Sequence, residues 1–359
     1  MFEHTSGQSA ASGAPCAASV ARRPEAVGYR GDGGKPRPAL VVLNQLGDEA
    51  CALIASAAGR TVQVIDAPQA LPWTLAGEAD VLFTAPRNGW STAPAQSPPG
   101  WPGRLQWVHL ASAGIDYFPA WLFEVPLVTC SRGVAATPIA EYVLAALLDQ
   151  EKSWAALRVT SAAQWRQTFK QVSAAPLGLL QGRALGLVGY GAIGQAIARR
   201  AQAFGMQVAA LRRSAAGLAG DGVRQAASLH ELLAGSDHLV LALPLTPKTR
   251  HLINAETLAY ARPGLHLVNI ARGALIDQAA LLQALDSGRI GRATLDVTDP
   301  EPLPDGHRLY SHSRVRLTPH ISWSAGDVAA LTAGRFVDNL TRYMAGQPLP
   351  DRVELSRGY

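Results

Sequence analysis

Three short segments in the second half of the chain end apolar runs on residues that can do acid–base chemistry. NIARGALID (269–277) places Arg272 just after a buried-looking strand, and RLTPHISW (316–323) places His320 after a strand and a proline. LDVTDPEPLP (295–304) holds Asp296 and Glu301. Open parallel sheets hold their ligands at the C-terminal ends of their strands, which is where these side chains fall. An arginine fork can clamp a carboxylate and polarise a neighbouring carbonyl. A histidine can deliver a proton as hydride arrives, and a carboxylate beside it keeps the imidazole oriented and charged. That set suits reduction of the carbonyl of an acid. Taken singly, Arg272 could cap a strand, Glu301 could sit in a solvated turn and His320 could be a core histidine; order and spacing argue for the joint reading.

A second pattern is Gly189-Tyr190-Gly191-Ala192-Ile193-Gly194, which matches G-x-G-x-x-G at the end of the apolar run ALGLV and at the start of a helix-like stretch. Gly189 permits the tight turn, Gly191 lets the backbone approach a pyrophosphate, and Gly194 lets helix and strand pack closely. The helix N-terminus adds a favourable field for phosphate. The following strand, QVAAL (207–211), runs into Arg212-Arg213-Ser214, and no acid appears until Asp221. A carboxylate at the strand end would hold a ribose 2′-hydroxyl, whereas guanidinium groups suit a 2′-phosphate. The pattern therefore predicts NADP(H) in preference, with NAD(H) possible.

The elements that must position these residues are α/β in alternation. Apolar runs at 39–46, 61–67, 80–85, 105–111 and 126–130 read as strands, with a helix over 47–60. The Pro- and Gly-rich stretch 88–104 reads as a loop. The longest helical pattern covers 137–158, with Ile139, Val143, Leu144, Leu147 and Leu148 at spacings of three and four. A second series follows, with strands at 184–189, 207–211, 238–243, 265–271, 293–297 and 315–319 and helices at 193–204 and 277–288. A last helix spans roughly 325–345. Alternation of this kind predicts parallel sheets. Residues 1–37, rich in Ser, Gly, Ala and Pro, read as a disordered tail.

At 359 residues, with 48% hydrophobic and 16% charged residues, the chain fits two globular domains and excludes wholesale disorder. No uninterrupted apolar run is long enough to span a membrane. The three cysteines, Cys16, Cys51 and Cys130, form neither a disulfide framework nor a zinc pattern, and no metal site is expected. The start lacks a basic segment followed by an apolar core, so the expectation is a cytoplasmic protein. The net charge of +5 comes from scattered residues, 28 of the 32 basic ones being arginine, and no nucleic-acid motif accompanies it. No nucleic acid or membrane partner is expected.

These segments, together with LPLTPKTRHLI (243–253) and SRGVAATPIAEYVLAALL (131–148), resemble the D-isomer-specific 2-hydroxyacid dehydrogenase family from about residue 39 to the C-terminus. The resemblance implies a Rossmann cofactor domain (136–323) inserted into a flavodoxin-like substrate domain (38–135 plus 324–359), both with parallel sheets. It implies that the helix over 137–158 helps form a homodimer. By the same resemblance Arg272 is the substrate-binding catalytic arginine, His320 the acid/base and Glu301 its partner. Asp296 would hold the nicotinamide carboxamide, and Leu243, Pro244 and Thr249 would line the adenine side and pyrophosphate. The backbone of Ile270, Ala271 and Arg272 would approach the nicotinamide, as would His320. The turn Ser112-Ala113-Gly114 resembles the family's carboxylate-binding loop. The absent acid at 212 is similar to members that reduce glyoxylate or hydroxypyruvate with NADPH, and Trp323 after the histidine is a departure that places a bulky ring near the pocket mouth. A nucleotide-binding corepressor-like scaffold remains an alternative on this fold. So does a formate- or phosphite-type dehydrogenase, although formate enzymes carry Gln where Glu301 stands.

Overall fold

Short runs of Val, Leu and Ile become the strands of two separate parallel sheets. The computed structural model describes residues 29–30, 36–37, 40–58, 61–212 and 220–355. Strand β1 (Tyr29–Arg30) pairs antiparallel with β2 (Pro36–Arg37), so the expected unstructured tail carries a small ladder. The rest of that segment, and Arg213 and Ser214, lie outside the described residues.

The first large sheet is built from β3 (Leu40–Asn44), β4 (Val62–Asp66), β5 (Val81–Thr84), β6 (Trp107–Leu110) and β7 (Leu127–Cys130). Helix α1 (Asp48–Ala58) makes the first crossover. The strands are parallel in the order β4-β3-β5-β6-β7, the flavodoxin-like arrangement. Every residue of β5 and β6 is buried, because both faces are covered. One face meets a group of indoles that includes Trp90 and Trp121. The other meets α1 and the C-terminal helix, whose Phe336 stacks on Phe83 at 4.3 Å and on Trp107 at 5.2 Å.

Helix α2 (Ala136–Lys152) buries Ile139, Val143, Leu144 and Leu147, the face its spacing predicts. It stops six residues short of the expected end. Ser153 adopts a left-handed conformation (φ +50°) that breaks the ladder, and a 3-10 turn, Trp154–Leu157, follows. Helix α3 (Ala162–Ala174), between the expected helix at 137–158 and the strand at 184, is capped by Ser161 and buries none of its residues. Its apolar residues Trp165, Phe169 and Val172 recur at spacings of four and three, but Trp165 and Phe169 face outward, so this helix adds nothing to the core.

The second sheet contains β8 (Ala184–Val188), β9 (Gln207–Leu211), β10 (Arg224–Gln225), β11 (His238–Leu241), β12 (Leu265–Asn269), β13 (Ile290–Leu295) and β14 (Val315–Leu317). Helices α4 (Ala192–Ala203), α5 (Leu229–Gly235), α6 (Ala255–Leu258), α7 (Gln278–Asp286) and α8 (Arg308–Ser311) alternate with them. All pairs are parallel in the order β10-β9-β8-β11-β12-β13-β14, a Rossmann order with one further strand at its edge. Helix α9 (Val328–Met344) then returns to the first sheet and packs on α1. The tail closes that return, with Val353 N–H donating to Val128 O at 2.9 Å. No helix among the described residues is long and apolar enough to cross a membrane.

Candidate active site

The glycine loop follows β8 at the point where the strand order reverses, between β8 and β11. Gly189 has φ +102°, and a Cβ there would lie 2.4 Å from Ala242 O, so this turn excludes any side chain. A Cβ on Gly194 would meet Gly189 O at 2.5 Å, whereas the space beside Gly191 is open. Close helix–strand packing and room over the middle glycine are what a bound pyrophosphate needs. The first bond of the α4 ladder runs from Gln195 N–H to Gly191 O, and Gly191 offers no side-chain cap. The N–H groups of 192–194 therefore precede the ladder and are available to an anion. The residues fit a dinucleotide.

Two expected cofactor contacts have other occupations. Tyr190 is buried, and its hydroxyl donates to Asp221 Oδ2 at 2.8 Å; burial first and then that carboxylate push its pKa up to about 12. Asp221, the first acid after β9, is thus spent on the glycine loop. Thr249 Oγ1 donates to Pro244 O at 2.9 Å and accepts from Thr246 N–H at 2.7 Å, so it shapes the loop containing Leu243 and Pro244. Arg212 is half-buried directly after β9.

Asp296 has structural partners of its own. It is fully buried after β13, and its carboxylate accepts from Thr318 Oγ1 (2.6 Å), Ile321 N–H (2.9 Å) and Ser322 N–H (2.8 Å). Thr318 is also bonded to the Tyr142 hydroxyl of α2. The Asp296 backbone carbonyl accepts from His320 N–H at 2.9 Å. Asp296 ties together the turn that carries His320. That turn needs tying, because His320 has φ +53°, a conformation that costs a non-glycine residue roughly 1–2 kcal/mol.

His320 Nδ1 lies 3.0 Å from Glu301 Oε1, bringing together two residues 19 positions apart on the loops after β14 and β13. Its Nε2 has no partner among the described residues. Trp323 is half-exposed and donates its indole N–H to His320 O at 2.7 Å, so this ring borders the histidine.

Arg272 follows β12, with the buried Ile270 and Ala271 before it. Its Nε and Nη2 donate to the two carboxylate oxygens of Asp116 at 2.7 and 2.8 Å, and Nη1 donates to Ala271 O at 2.7 Å. Tyr117 lies under the guanidinium, 4.8 Å from ring centroid to Cζ, and its ring is 6.4 Å from that of His320. Burial opposes the arginine's charge, but Asp116, Tyr117 and Glu301 outweigh it and raise its pKa. Neither Asp116 nor Tyr117 was singled out from sequence; the only signal was an acid two places after Gly114.

The expected carboxylate-binding turn is the same loop, after β6. Ser112 Oγ donates to Gly114 O at 2.7 Å and tightens it. The N–H groups of Ala113 and Gly114 have no partner among the described residues. Gly114 lets the arginine come close, since a Cβ there would fall 1.7 Å from Nη2 and displace the guanidinium. The loop thus brings backbone donors from the first sheet to a guanidinium from the second.

Comparison with known proteins places this geometry in context. A sequence model described as "D-isomer specific 2-hydroxyacid dehydrogenase, NAD binding domain" matches residues 144–322. A glyoxylate/hydroxypyruvate reductase A of Serratia proteamaculans is 32% identical over 72% of this chain and 82% of its own length. A glycerate dehydrogenase of Methylorubrum extorquens is 41% identical over 48% of this chain, a match spanning 54% of the relative's length. Among solved structures, a D-isomer specific 2-hydroxyacid dehydrogenase from Xanthobacter autotrophicus, in complex with NADPH and MES, superposes with a TM-score of 0.69 at 29% identity, covering 90% of this chain and all of that one.

Proposed function

The chain belongs to the D-isomer-specific 2-hydroxyacid dehydrogenase family, and from that premise we propose that it reduces small 2-oxo acids such as glyoxylate or hydroxypyruvate to D-2-hydroxy acids, with NADPH ahead of NADH. One observation carries the reading: His320, Glu301 and Arg272, from three different strand ends, converge around Tyr117. A bound nicotinamide dinucleotide supplies the hydride. Arg272 and the N–H groups of Ala113 and Gly114 hold the substrate carboxylate and turn its carbonyl toward the histidine. Glu301 fixes Nδ1 and stabilises the imidazolium, leaving Nε2 to pass a proton to the nascent alkoxide. The glycine loop and the α4 N-terminus hold the pyrophosphate, and Arg212, with Arg213 and Ser214, takes the 2′-phosphate.

We assign residues 38–135 with 324–359 to the substrate domain and 136–323 to the cofactor domain. We also propose a homodimer. Trp165 and Phe169 of α3 stack at 5.4 Å on an exposed face, and Trp154 and Leu179 beside it are exposed as well. A helix with no buried residue and exposed rings is what a second copy would cover.

The test is oxidation of NADPH and of NADH, followed at 340 nm, with glyoxylate, hydroxypyruvate, pyruvate and phenylpyruvate. The expected result is turnover that favours NADPH and the smaller acids. Tight NADPH binding without turnover on any of them would overturn the reading and favour a nucleotide-binding scaffold.

A further inference from the structure

Asp116 belongs to neither the proposed acid–base pair nor the expected carboxylate-binding backbone, yet it is the side chain that holds Arg272 by two hydrogen bonds. Both of its oxygens are engaged, in a side-on fork to Nε and Nη2 at 2.7 and 2.8 Å. Such a bidentate pair fixes the plane of the guanidinium as well as its position. An arginine has five N–H groups. Two go to Asp116 and one to Ala271 O, which leaves one on Nη1 and one on Nη2. Asp116 takes the Nε/Nη2 edge and leaves the Nη1/Nη2 edge, the one suited to gripping a further pair of oxygens.

The surroundings suit a held group better than a free one. Tyr117 closes one face of the guanidinium. Gly114 lets the loop backbone lie against Nη2, where any side chain would collide. The Arg272 side chain is only 19% exposed and that of Asp116 34%, so the pair is partly shielded from water. Asp116 comes from the loop after β6 of the first sheet and Arg272 from the end of β12 in the second. The fork therefore forms only where the two sheets meet.

We propose that Asp116 is the positioning residue of Arg272: it sets the guanidinium so that its two remaining N–H groups present a ready-made fork to the substrate's carboxylate or carbonyl oxygens. This rests on the 2-oxo acid reductase reading above. Asp116 also balances the arginine's charge, so the site selects by the direction of its donors rather than by bulk attraction for anions. Removing the carboxylate leaves a more positive, less ordered site, which binds anions at least as well and turns them over more slowly.

The experiment compares wild type, Asp116→Asn and Asp116→Ala with glyoxylate and NADPH, with NADPH affinity from cofactor fluorescence as a folding control. Asp116→Asn is expected to lower kcat roughly 10- to 100-fold, the scale of a small misplacement, with KM for glyoxylate unchanged or lower and NADPH affinity intact. Added acetate should inhibit wild type by competing for Arg272, yet partly restore kcat in Asp116→Ala by refilling the fork. Wild-type kcat and KM in Asp116→Asn, or inhibition by acetate in all three proteins, would overturn the positioning role while leaving the reductase reading standing. A wild type without activity on glyoxylate or the other 2-oxo acids would bring down the reductase reading, and this inference with it.

Discussion

The two sheets reach the same cleft with different equipment. Loops after β12, β13 and β14 of the seven-stranded sheet bring Arg272, Glu301 and His320, the groups that can bind and protonate. A single loop after β6 of the five-stranded sheet brings two free backbone N–H groups, one carboxylate and one aromatic ring. Their interiors differ in the same sense. The five-stranded unit packs Trp90, Trp121, Phe118, Trp107, Phe83 and Phe336 into its core, with Trp101 and Trp121 only 4.8 Å apart. The clusters of the seven-stranded unit are leucine, isoleucine, valine and alanine with Met206, and their only buried Phe, Tyr or Trp among the described residues is Tyr190. On the proposed reading, one half carries the reaction and the other the alignment. The rigid aromatic core suits a unit whose loop must hold a guanidinium to within fractions of an ångström.

Four predictions bear on that contrast. The largest effect is expected for His320→Asn, since asparagine tolerates the left-handed backbone but cannot deliver the proton. It should lower kcat by about 10²- to 10⁴-fold in steady-state assays while NADPH affinity stays within about twofold. A parallel loss of cofactor binding would mean that the seven-stranded unit has misfolded instead. Next, Phe336→Ala removes a ring stacked on Phe83 and Trp107 and should cost about 3–5 kcal/mol in denaturant unfolding. If the two units play separate parts, turnover should be lost at a lower urea concentration than NADPH binding.

Acid should weaken both halves. Burial pushes His109 of the first unit down to about 3 and His238 of the second down to about 4. In the unfolded chain both titrate near 6.5, so unfolding takes up protons below that pH. Their contribution is complete above 6.5 and falls away as the pH drops toward 4, by about 2 kcal/mol each at pH 5. Unfolding free energies measured between pH 7 and 5 should decline accordingly; a flat profile would contradict it. The smallest effect is expected for Arg212→Gln, which should weaken NADPH about tenfold and leave NADH nearly unchanged, as one charge-assisted hydrogen bond requires. Equal weakening of both would remove Arg212 from the 2′-phosphate site.

The same contrast governs what the sequence made legible. Strands buried on both faces are continuous apolar runs, so the starts of β8, β11 and β12 could be read to the residue, their ends falling one or two residues earlier than expected. Glu301 and His320 were legible because each follows such a run within a recognisable motif. Asp116 was not, since its role depends on a residue 156 positions away across two sheets, and a lone acid in a loop has no period. The hydrogen bonds of Asp296 were hidden for a related reason: the motif fixes its place after β13, but only the packed turn directs its carboxylate to Thr318, Ile321 and Ser322. Helix α3 escaped although Trp165, Phe169 and Val172 hold a helical spacing, because one short apolar stripe among Gln, Thr and Ser is a weak signal.

The central claim, hydride transfer to C2 of a 2-oxo acid on the face that gives the D product, is tested most directly with hydroxypyruvate and NADPH dideuterated at C4. The account predicts glycerate carrying one deuterium at C2, wholly of D configuration by chiral chromatography and mass spectrometry. Unlabelled glycerate, L-glycerate, or no product alongside tight NADPH binding would contradict it.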